Sequence, residues 1–87
     1  MITIISKSYC PYCSSAKQLI SSLGFEYQEI DVTSDPDMLR KSVEASGMMS
    51  VPQIYAGDVS KENILGWFDD IDALHRDWKL LALLEKA

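Results

Sequence analysis

A short β-branched run followed directly by a helical pattern constrains the fold of this chain more than any other feature. Residues 2–5 read Ile-Thr-Ile-Ile, which is typical of a buried strand. From residue 12 to residue 23 the apolar side chains recur on one helical stripe, and Gly24 follows where a helix usually ends. Residues 25–32 then alternate in part between apolar and polar, which predicts a second strand. A strand, a helix and a strand of these lengths predict a unit with parallel strand pairing.

The second half of the chain predicts another helix, a hairpin and a terminal helix. The segment 34–37, Ser-Asp-Pro-Asp, is a helix start, because it offers a capping side chain, a proline near the first turn and acidic residues at the positive end of the dipole. We expect that helix to run to about Ser46 and to stop at Gly47. The remaining predictions are a strand over 51–56, a turn at 57–58, a short edge strand over 59–64, and a helix from 68 with a candidate break near 75–77. The order of elements predicts an α/β fold.

Length and charge limit the class of protein. At 87 residues the chain predicts a single domain over residues 1–87 with one modest core. The net charge is −5 and lysine and arginine form no block, which argues against binding to nucleic acid or to an anionic membrane surface. No apolar run approaches the ~20 residues that span a bilayer, and from the pattern of the first residues we expect no signal peptide. We therefore expect a monomer in the reducing cytoplasm, where a cysteine pair is more often catalytic or metal-binding than structural.

The only two cysteines stand in the sequence Cys10-Pro11-Tyr12-Cys13, at the junction of the first strand and the first helix. Only a thiolate attacks a disulfide. If Cys10 is the N-cap, the unpaired N–H groups of the first turn and the helix dipole favour its thiolate, and Lys7 can add a full positive charge. Pro11 suits the first helical position, and Cys13 lies one turn further on within bonding reach. The pattern predicts that Cys10 attacks a disulfide and that Cys13 then resolves the mixed disulfide.

Two other interpretations of the cysteine pair remain open from the sequence. A Cys-x-x-Cys pair can form half of a zinc site, but zinc takes four ligands and His75 is the only histidine. The two cysteines can also be inert core residues. Their place between a strand and a helix, with a proline between them, favours redox chemistry over both interpretations.

A second motif, Ser50-Val51-Pro52-Gln53, opens the predicted third strand. Proline donates no hydrogen bond to a sheet ladder, so it belongs at the first residue or at the edge of a strand. If the Val51–Pro52 bond is cis, the backbone of Val51 is left free to pair with an extended thiol peptide. An ordinary turn proline with a trans bond is the alternative.

Three segments, in this order and spacing, resemble the glutaredoxin family over nearly the whole chain. They are Lys7-Ser8-Tyr9-Cys10-Pro11-Tyr12-Cys13, Ser50-Val51-Pro52-Gln53-Ile54-Tyr55 and, as an incomplete form of the family's motif, Gly66-Trp67-Phe68-Asp69-Asp70. The resemblance implies a thioredoxin-like (glutaredoxin) α/β fold, with a four-stranded mixed sheet and helices on both faces. It also implies a cis Val51–Pro52 bond and glutathione as the reductant. With His75 as the only histidine beside the cysteine pair, we expect no metal.

The resemblance assigns roles residue by residue. Cys10 would be the nucleophile and Cys13 the resolving thiol. Residues of all three segments would hold glutathione, namely Lys7, Tyr12, Val51, Pro52, Phe68, Asp69 and Asp70. Among them, the Val51 backbone would pair with the cysteinyl part of glutathione, and the segment 68–70 would hold the γ-glutamyl end. A carboxylate in a first helical turn also stabilises that terminus, so Asp69 and Asp70 can equally serve the helix dipole alone.

Trp67 departs from the family pattern, which has a glycine at this position. An indole has neither the small size nor the backbone freedom of glycine, so Trp67 either walls the glutathione groove or narrows it. Met48 and Met49 stand where the family often has a glutamine or arginine for the glycine carboxylate of glutathione. The three side chains form a candidate exposed apolar patch that would favour protein disulfides as substrates, unless they pack inward.

The residues and the resemblance together predict a glutathione-dependent thiol–disulfide oxidoreductase that reduces protein disulfides and glutathione mixed disulfides through Cys10 and Cys13. Ribonucleotide reductase is a candidate client on family analogy alone. One alternative is a glutaredoxin-like electron donor recharged by a flavoprotein reductase, which the departures at Trp67 and Met48 motivate. Another is a carrier in which two chains bridge a [2Fe–2S] cluster through Cys10 and bound glutathione. A non-catalytic scaffold is the third.

Overall fold

The computed structural model describes residues 2–8, 10–47, 50–76 and 80. Within these ranges the elements follow the predicted order: β1 (Ile2–Ser6), α1 (Pro11–Ser22), β2 (Tyr27–Asp31), α2 (Pro36–Ser46), β3 (Gln53–Tyr55), β4 (Ile64–Gly66) and α3 (Phe68–Arg76). None of these helices is long and apolar enough to cross a lipid bilayer.

The strand β1 lies in the interior of a four-stranded sheet with the order β2-β1-β3-β4. It pairs in parallel with β2, with Ile2 opposite Tyr27, and antiparallel with β3, with Ile4 opposite Ile54. The strand β4 adds antiparallel to β3. The predicted parallel strand–helix–strand unit, the hairpin and the mixed sheet are therefore confirmed.

Successive residues of β1 point to opposite faces of the sheet and so divide the core into two clusters. The first cluster lies against α1 and α3 and comprises Ile2, Ile4, Ala16, Ile20, Ile54, Ile71 and Leu80. The second lies against α2, and its buried members are Ile5, Val32, Tyr55 and Val59. Helices therefore cover both faces of the sheet, as predicted.

Both ends of α2 form where the sequence places them. The Asp35 carboxylate is the N-cap and accepts a hydrogen bond from the Met38 N–H at 3.1 Å. Gly47 follows the helix in the left-handed region with a φ of 74°, which residues with a Cβ rarely adopt. Local capping chemistry therefore sets the length of this helix.

The predicted edge strand over residues 59–64 is wrong in position. The strand β4 begins only at Ile64, after a loop of bends and turns. Asn63 closes this loop, because its C=O accepts a hydrogen bond from the Ala56 N–H at 2.8 Å. Val59 turns into the second cluster and is only 9% exposed. A hydrogen-bonded loop therefore takes the place of most of the predicted strand.

Two further differences concern the predicted third strand and the terminal helix. The strand β3 is shorter than predicted and begins only after Pro52, which has no N–H to donate to the ladder. The predicted second segment of the terminal helix, with Trp78, Leu81 and Leu84, lies outside the described residues. Leu80 is described; it is helical and fully buried in the first cluster.

Candidate active site

Cys10 is the N-cap of α1, as predicted. Its backbone is extended, with a φ of −106° and a ψ of 105°, and the Cys13 N–H donates a hydrogen bond to its sulfur at 3.2 Å. Pro11 occupies the start of the helix, where its missing N–H leaves no intrahelical bond unmade. The Cys10 sulfur therefore lies at the positive end of a helix dipole and beside a backbone donor, surroundings that stabilise a negatively charged sulfur.

Cys13 differs from Cys10 in its exposure to solvent. Cys13 is only 2% exposed, whereas Cys10 is partly exposed, and both thiols are free. Burial is the largest cause that raises the pKa of the Cys13 thiol to about 12, and the hydrogen bond with Cys10 also raises it. Cys13 is therefore a protonated thiol near neutral pH. This difference supports Cys10 as the attacking thiol and Cys13 as the resolving one.

The second motif lies beside the first, although 41 residues separate Cys10 from Val51 in the sequence. The Cys10 thiol donates to the Val51 C=O over a sulfur–oxygen distance of 3.8 Å. The Val51–Pro52 bond is cis, as the resemblance implies, and Pro52 is fully buried. Val51 keeps part of its surface exposed. The structure therefore brings Cys10, Val51 and Pro52 together.

Three aromatic side chains, Tyr12, Trp67 and Phe68, form what we call the aromatic wall. The Tyr12 ring lies 5.3 Å from the Trp67 ring and 6.1 Å from the Phe68 ring, measured between centroids. Tyr12 is 51% exposed, whereas Trp67 and Phe68 are half-buried. The indole N–H of Trp67 is buried without an acceptor among the described residues. Trp67 therefore packs across the space between the N-termini of α1 and α3, which a glycine would leave open.

The segment that opens α3 carries two exposed aspartates, Asp69 and Asp70. The Asp70 carboxylate accepts a hydrogen bond from the Trp67 N–H at 2.8 Å and so caps its own helix. Gly66 has a φ of 116°, and a Cβ there would lie 2.5 Å from the Asp70 carboxylate oxygen. Asp70 therefore has a role at the helix terminus, and glutathione binding by Asp69 and Asp70 stays a prediction. Met48 and Met49 lie outside the described residues.

A cavity of about 610 Å³ is lined by both cysteines and by residues of the β1–α1 connection, α1 and β2. Its charged lining residues are Lys7, Lys17, Glu29 and Asp31. Lys17 forms an ion pair with Glu29 at 3.0 Å, and the Ser6 hydroxyl donates to the same carboxylate oxygen at 2.7 Å. The cavity therefore places a tethered ammonium group near the dithiol.

Sequence reasoning selected Lys7 and the cysteines but missed the other charged residues of this cavity. Lys17 carries a usable signal, because it follows Cys13 by four residues and so lies on the same helical face. Glu29 and Asp31 carry none, because their place beside α1 depends on the register of β2 against β1.

Metal binding is the remaining interpretation of the cysteine pair. Across 2–8, 10–47, 50–76 and 80, no group of three or more His, Cys, Asp or Glu side chains could hold a metal ion. His75 lies exposed in the last turn of α3. The zinc interpretation therefore finds no ligand set in this part of the chain.

Known proteins are similar to this chain in both sequence and structure. The family model described as Glutaredoxin matches residues 2–60. A glutaredoxin from Pseudomonas aeruginosa is 39% identical over 83 residues, which cover 95% of this chain and 94% of that protein. The crystal structure of a buckwheat glutaredoxin–glutathione complex matches with a TM-score of 0.82 at 30% identity, covering 98% of this chain and 76% of that chain. The solution structure of a Brucella melitensis glutaredoxin matches with a TM-score of 0.81 at 36% identity, covering 98% and 88% of the two chains.

The similarities to the Pseudomonas, buckwheat and Brucella proteins extend over nearly the whole chain. The mixed sheet with helices on both faces is the thioredoxin-like fold that the related structures share. The family's Cys-Pro-Tyr-Cys motif stands at the N-cap of α1, as the resemblance requires. The chain therefore belongs to the glutaredoxin family, whose members are thiol–disulfide oxidoreductases.

Proposed function

We propose that this protein is a glutathione-dependent thiol–disulfide oxidoreductase that reduces protein disulfides and glutathione mixed disulfides. The observation that carries the proposal is the asymmetry of the dithiol: the Cys13 N–H donates to the partly exposed Cys10 sulfur, while the Cys13 thiol is buried. An accessible sulfur beside a backbone donor can attack a substrate, whereas a buried thiol one turn away can act only on the sulfur next to it. Family membership supports the same assignment.

The reaction has two parts. The Cys10 thiolate attacks a disulfide RS–SR′, forms the mixed disulfide of Cys10 with RS, and expels R′S⁻, which takes a proton. With a protein disulfide, Cys13 then attacks Cys10, releases the client thiol and leaves a Cys10–Cys13 disulfide. Two glutathione molecules reduce that disulfide and become oxidised glutathione. With a glutathione mixed disulfide, a second glutathione thiolate attacks the Cys10 adduct directly, so that Cys13 is not required.

Glutathione would lie between the N-termini of α1 and α3, held by Lys7, Tyr12, Val51, Pro52, Phe68, Asp69 and Asp70. The residue before α3 is Trp67, whose side chain has no oxygen to accept from the N–H groups of the first turn. Those N–H groups suit the γ-glutamyl carboxylate, and Asp69 suits the γ-glutamyl ammonium. The complex of buckwheat glutaredoxin with glutathione supports this choice of ligand.

We place the reaction in the cytoplasm and propose that the chain acts as a monomer without a resident metal. A reducing compartment would keep both cysteines as free thiols between turnovers. Protein disulfides such as that of ribonucleotide reductase are the proposed clients, and family analogy supports this choice.

Cysteine variants test the proposed function. Wild type, Cys10→Ser and Cys13→Ser are assayed with a glutathione mixed disulfide and with a protein disulfide, with glutathione, glutathione reductase and NADPH to follow turnover. We expect Cys10→Ser to abolish both activities. Cys13→Ser should keep activity toward the glutathione mixed disulfide and lose most activity toward the protein disulfide. Equal loss in both variants on the glutathione mixed disulfide would contradict the assigned roles.

The contact between Trp67 and Tyr12 favours a second candidate, a glutaredoxin-like electron donor recharged by a flavoprotein reductase. The Trp67 ring occupies space that a glycine would leave open to glutathione. A flavoprotein reductase delivers electrons through its own dithiol and does not need that space. Faster turnover with a thioredoxin-reductase couple than with the glutathione couple would favour this candidate over the first.

A further inference from the structure

The resolving step requires a positive charge that stabilises the Cys13 anion, and the Cys-Pro-Tyr-Cys motif itself has no such charge. This inference rests on the proposed function, because only a dithiol mechanism uses Cys13 as a nucleophile. Cys13 must carry negative charge when it attacks the mixed disulfide of Cys10, yet it is only 2% exposed. Burial opposes that charge and is the largest cause that raises the pKa of Cys13.

The influence of Cys10 on Cys13 differs between the two parts of the reaction. In the free dithiol, the hydrogen bond with Cys10 and the charge of Cys10 both raise the pKa of Cys13. In the mixed disulfide the Cys10 sulfur carries neither a charge nor a proton, so both contributions disappear. The influences that then favour the Cys13 anion are a hydrogen bond with the Lys7 backbone and the charge of Lys17.

Lys17 is placed to act on Cys13 by the helix and by the sheet. It follows Cys13 by four residues, so both side chains lie on one face of α1, and both residues line the cavity of about 610 Å³. Its Nζ lies 3.0 Å from a carboxylate oxygen of Glu29, and Ser6 donates to that oxygen at 2.7 Å. The ammonium group is therefore tethered at the wall of the cavity instead of extending into solvent.

The other charged groups that line this cavity are Lys7, Glu29 and Asp31. The hydrogen bond with Glu29 is the largest cause that raises the pKa of Lys17, and the Ser6 hydroxyl is the largest cause that lowers the pKa of Glu29. Both members of the ion pair are therefore charged at neutral pH. The Glu29 carboxylate opposes the field of the ammonium at Cys13, and the charge of Lys17 is the smallest of the causes that change the pKa of Cys13.

We propose that Lys17 promotes resolution: its ammonium group, held in place by Glu29, stabilises the negative charge on Cys13 as Cys13 attacks the mixed disulfide. Cys13 loses its proton to solvent in the cavity, and its sulfur forms a bond with the Cys10 sulfur. The bond between Cys10 and the client sulfur breaks, and the client thiolate leaves with the electron pair and takes a proton. The products are the Cys10–Cys13 disulfide and a client thiol, so atoms and electrons balance without another reactant.

Single-turnover kinetics separate the two steps. Reaction of the protein with a symmetrical aromatic disulfide releases one coloured thiol when Cys10 attacks and a second one when Cys13 resolves the adduct. The adduct is formed at acid pH, where resolution is slow, and is then mixed into buffers from neutral to alkaline pH. The variants are Lys17→Met, Lys17→Arg and the matched control Lys41→Met, an exposed lysine of α2 that does not line the cavity.

The readout is the ratio of the resolution rate to the rate of attack by Cys10. We expect Lys17→Met to lower this ratio roughly threefold to tenfold. A nearby positive charge lowers the pKa of an acid by about one unit or more, and the Glu29 carboxylate offsets part of that effect. The pH profile of resolution should also move to more alkaline pH. Lys17→Arg keeps the charge and should stay within about twofold of wild type, as should Lys41→Met.

The outcomes distinguish this inference from the proposed function. A wild-type ratio in Lys17→Met, an equal slowing of both steps, or an equal effect of Lys41→Met would overturn the role of Lys17 and leave the proposed function in place. A wild-type protein with no Cys10-dependent turnover would overturn the proposed function instead. Lys17→Gln is a second neutral variant that replaces Lys17→Met if that variant does not fold.

Discussion

Replacing Gly66 by alanine should destabilise the N-terminus of α3, and the structure sets the size of the effect. Gly66 has a φ of 116°, which a residue with a Cβ adopts only with strain of about 1–3 kcal/mol. The added methyl would lie 2.5 Å from the Asp70 carboxylate oxygen and 2.8 Å from its Cβ, so the Asp70 side chain must move. That movement breaks the 2.8 Å hydrogen bond from the Trp67 N–H, and losing such a cap costs about 0.5–2 kcal/mol. Together we expect a loss of about 2–4 kcal/mol.

Urea and thermal unfolding measure this loss, and a loss of about 3 kcal/mol corresponds to a fall in Tm on the order of 10–20 °C for a domain of this size. Gly24→Ala is the matched control, because Gly24 also has a positive φ, 85°, but an added Cβ there meets nothing within 4 Å. Asp70→Ala alone removes only the cap, so combining it with Gly66→Ala should cost less than the sum of the two single losses. A loss in Gly66→Ala no larger than that in Gly24→Ala would refute the reasoning.

Three further substitutions test other parts of the structure. Trp67→Gly removes the ring that packs on Tyr12 and should lower the KM for glutathione several-fold, with Trp67→Phe as the control; an unchanged KM would show that the ring does not narrow the groove. Asp35→Ala removes the N-cap acceptor of α2 and should cost about 1 kcal/mol in urea unfolding, whereas an equal loss in Asp35→Asn, which keeps an acceptor, would argue against capping. The folded state lowers the pKa of Glu29 below its ordinary value of 4.5, chiefly through the Ser6 hydroxyl, so the stability that Glu29 contributes is present above that pH and lost as the pH falls below it. Glu29→Gln should flatten the acid side of the stability profile, and an unchanged profile would show that this carboxylate is not linked to folding.

Elements whose signals lie in a few adjacent residues could be predicted closely from the sequence. Cys10 and Asp35 each precede a proline and each caps a helix, because a capping side chain and a proline at the first turn are local features. The prediction of an edge strand from residue 59 was wrong because the apolar side chain of Val59 does not belong to a strand. It packs into the core from a loop, and an apolar residue in a loop looks the same in sequence as one in a strand.

Some residues of the candidate site could likewise be predicted from their neighbours in the sequence, whereas others could not. Cys10 and Cys13 can be found from four adjacent residues, but Glu29 cannot, although it holds the ammonium group of Lys17. It reaches Lys17 because β2 pairs in parallel with β1 in a register that sets Glu29 opposite Ile4. A slip of one residue would turn Glu29 to the other face of the sheet, and the packing of the whole sheet fixes that register.

Two groups of described residues meet at Cys10, and they serve different parts of the proposed reaction. Val51 contacts Cys10, and the aromatic wall includes Tyr12 from the first turn of α1. Neither Val51 nor the wall lines the cavity, whereas Cys13 and Lys17 both line it. A substrate that lies along Val51 and the wall meets the attacking sulfur on the side away from Lys17, and Lys7 is the one proposed glutathione contact that also lines the cavity. Substitutions in the wall should therefore change which disulfide is attacked while the rate of resolution of a given adduct stays the same.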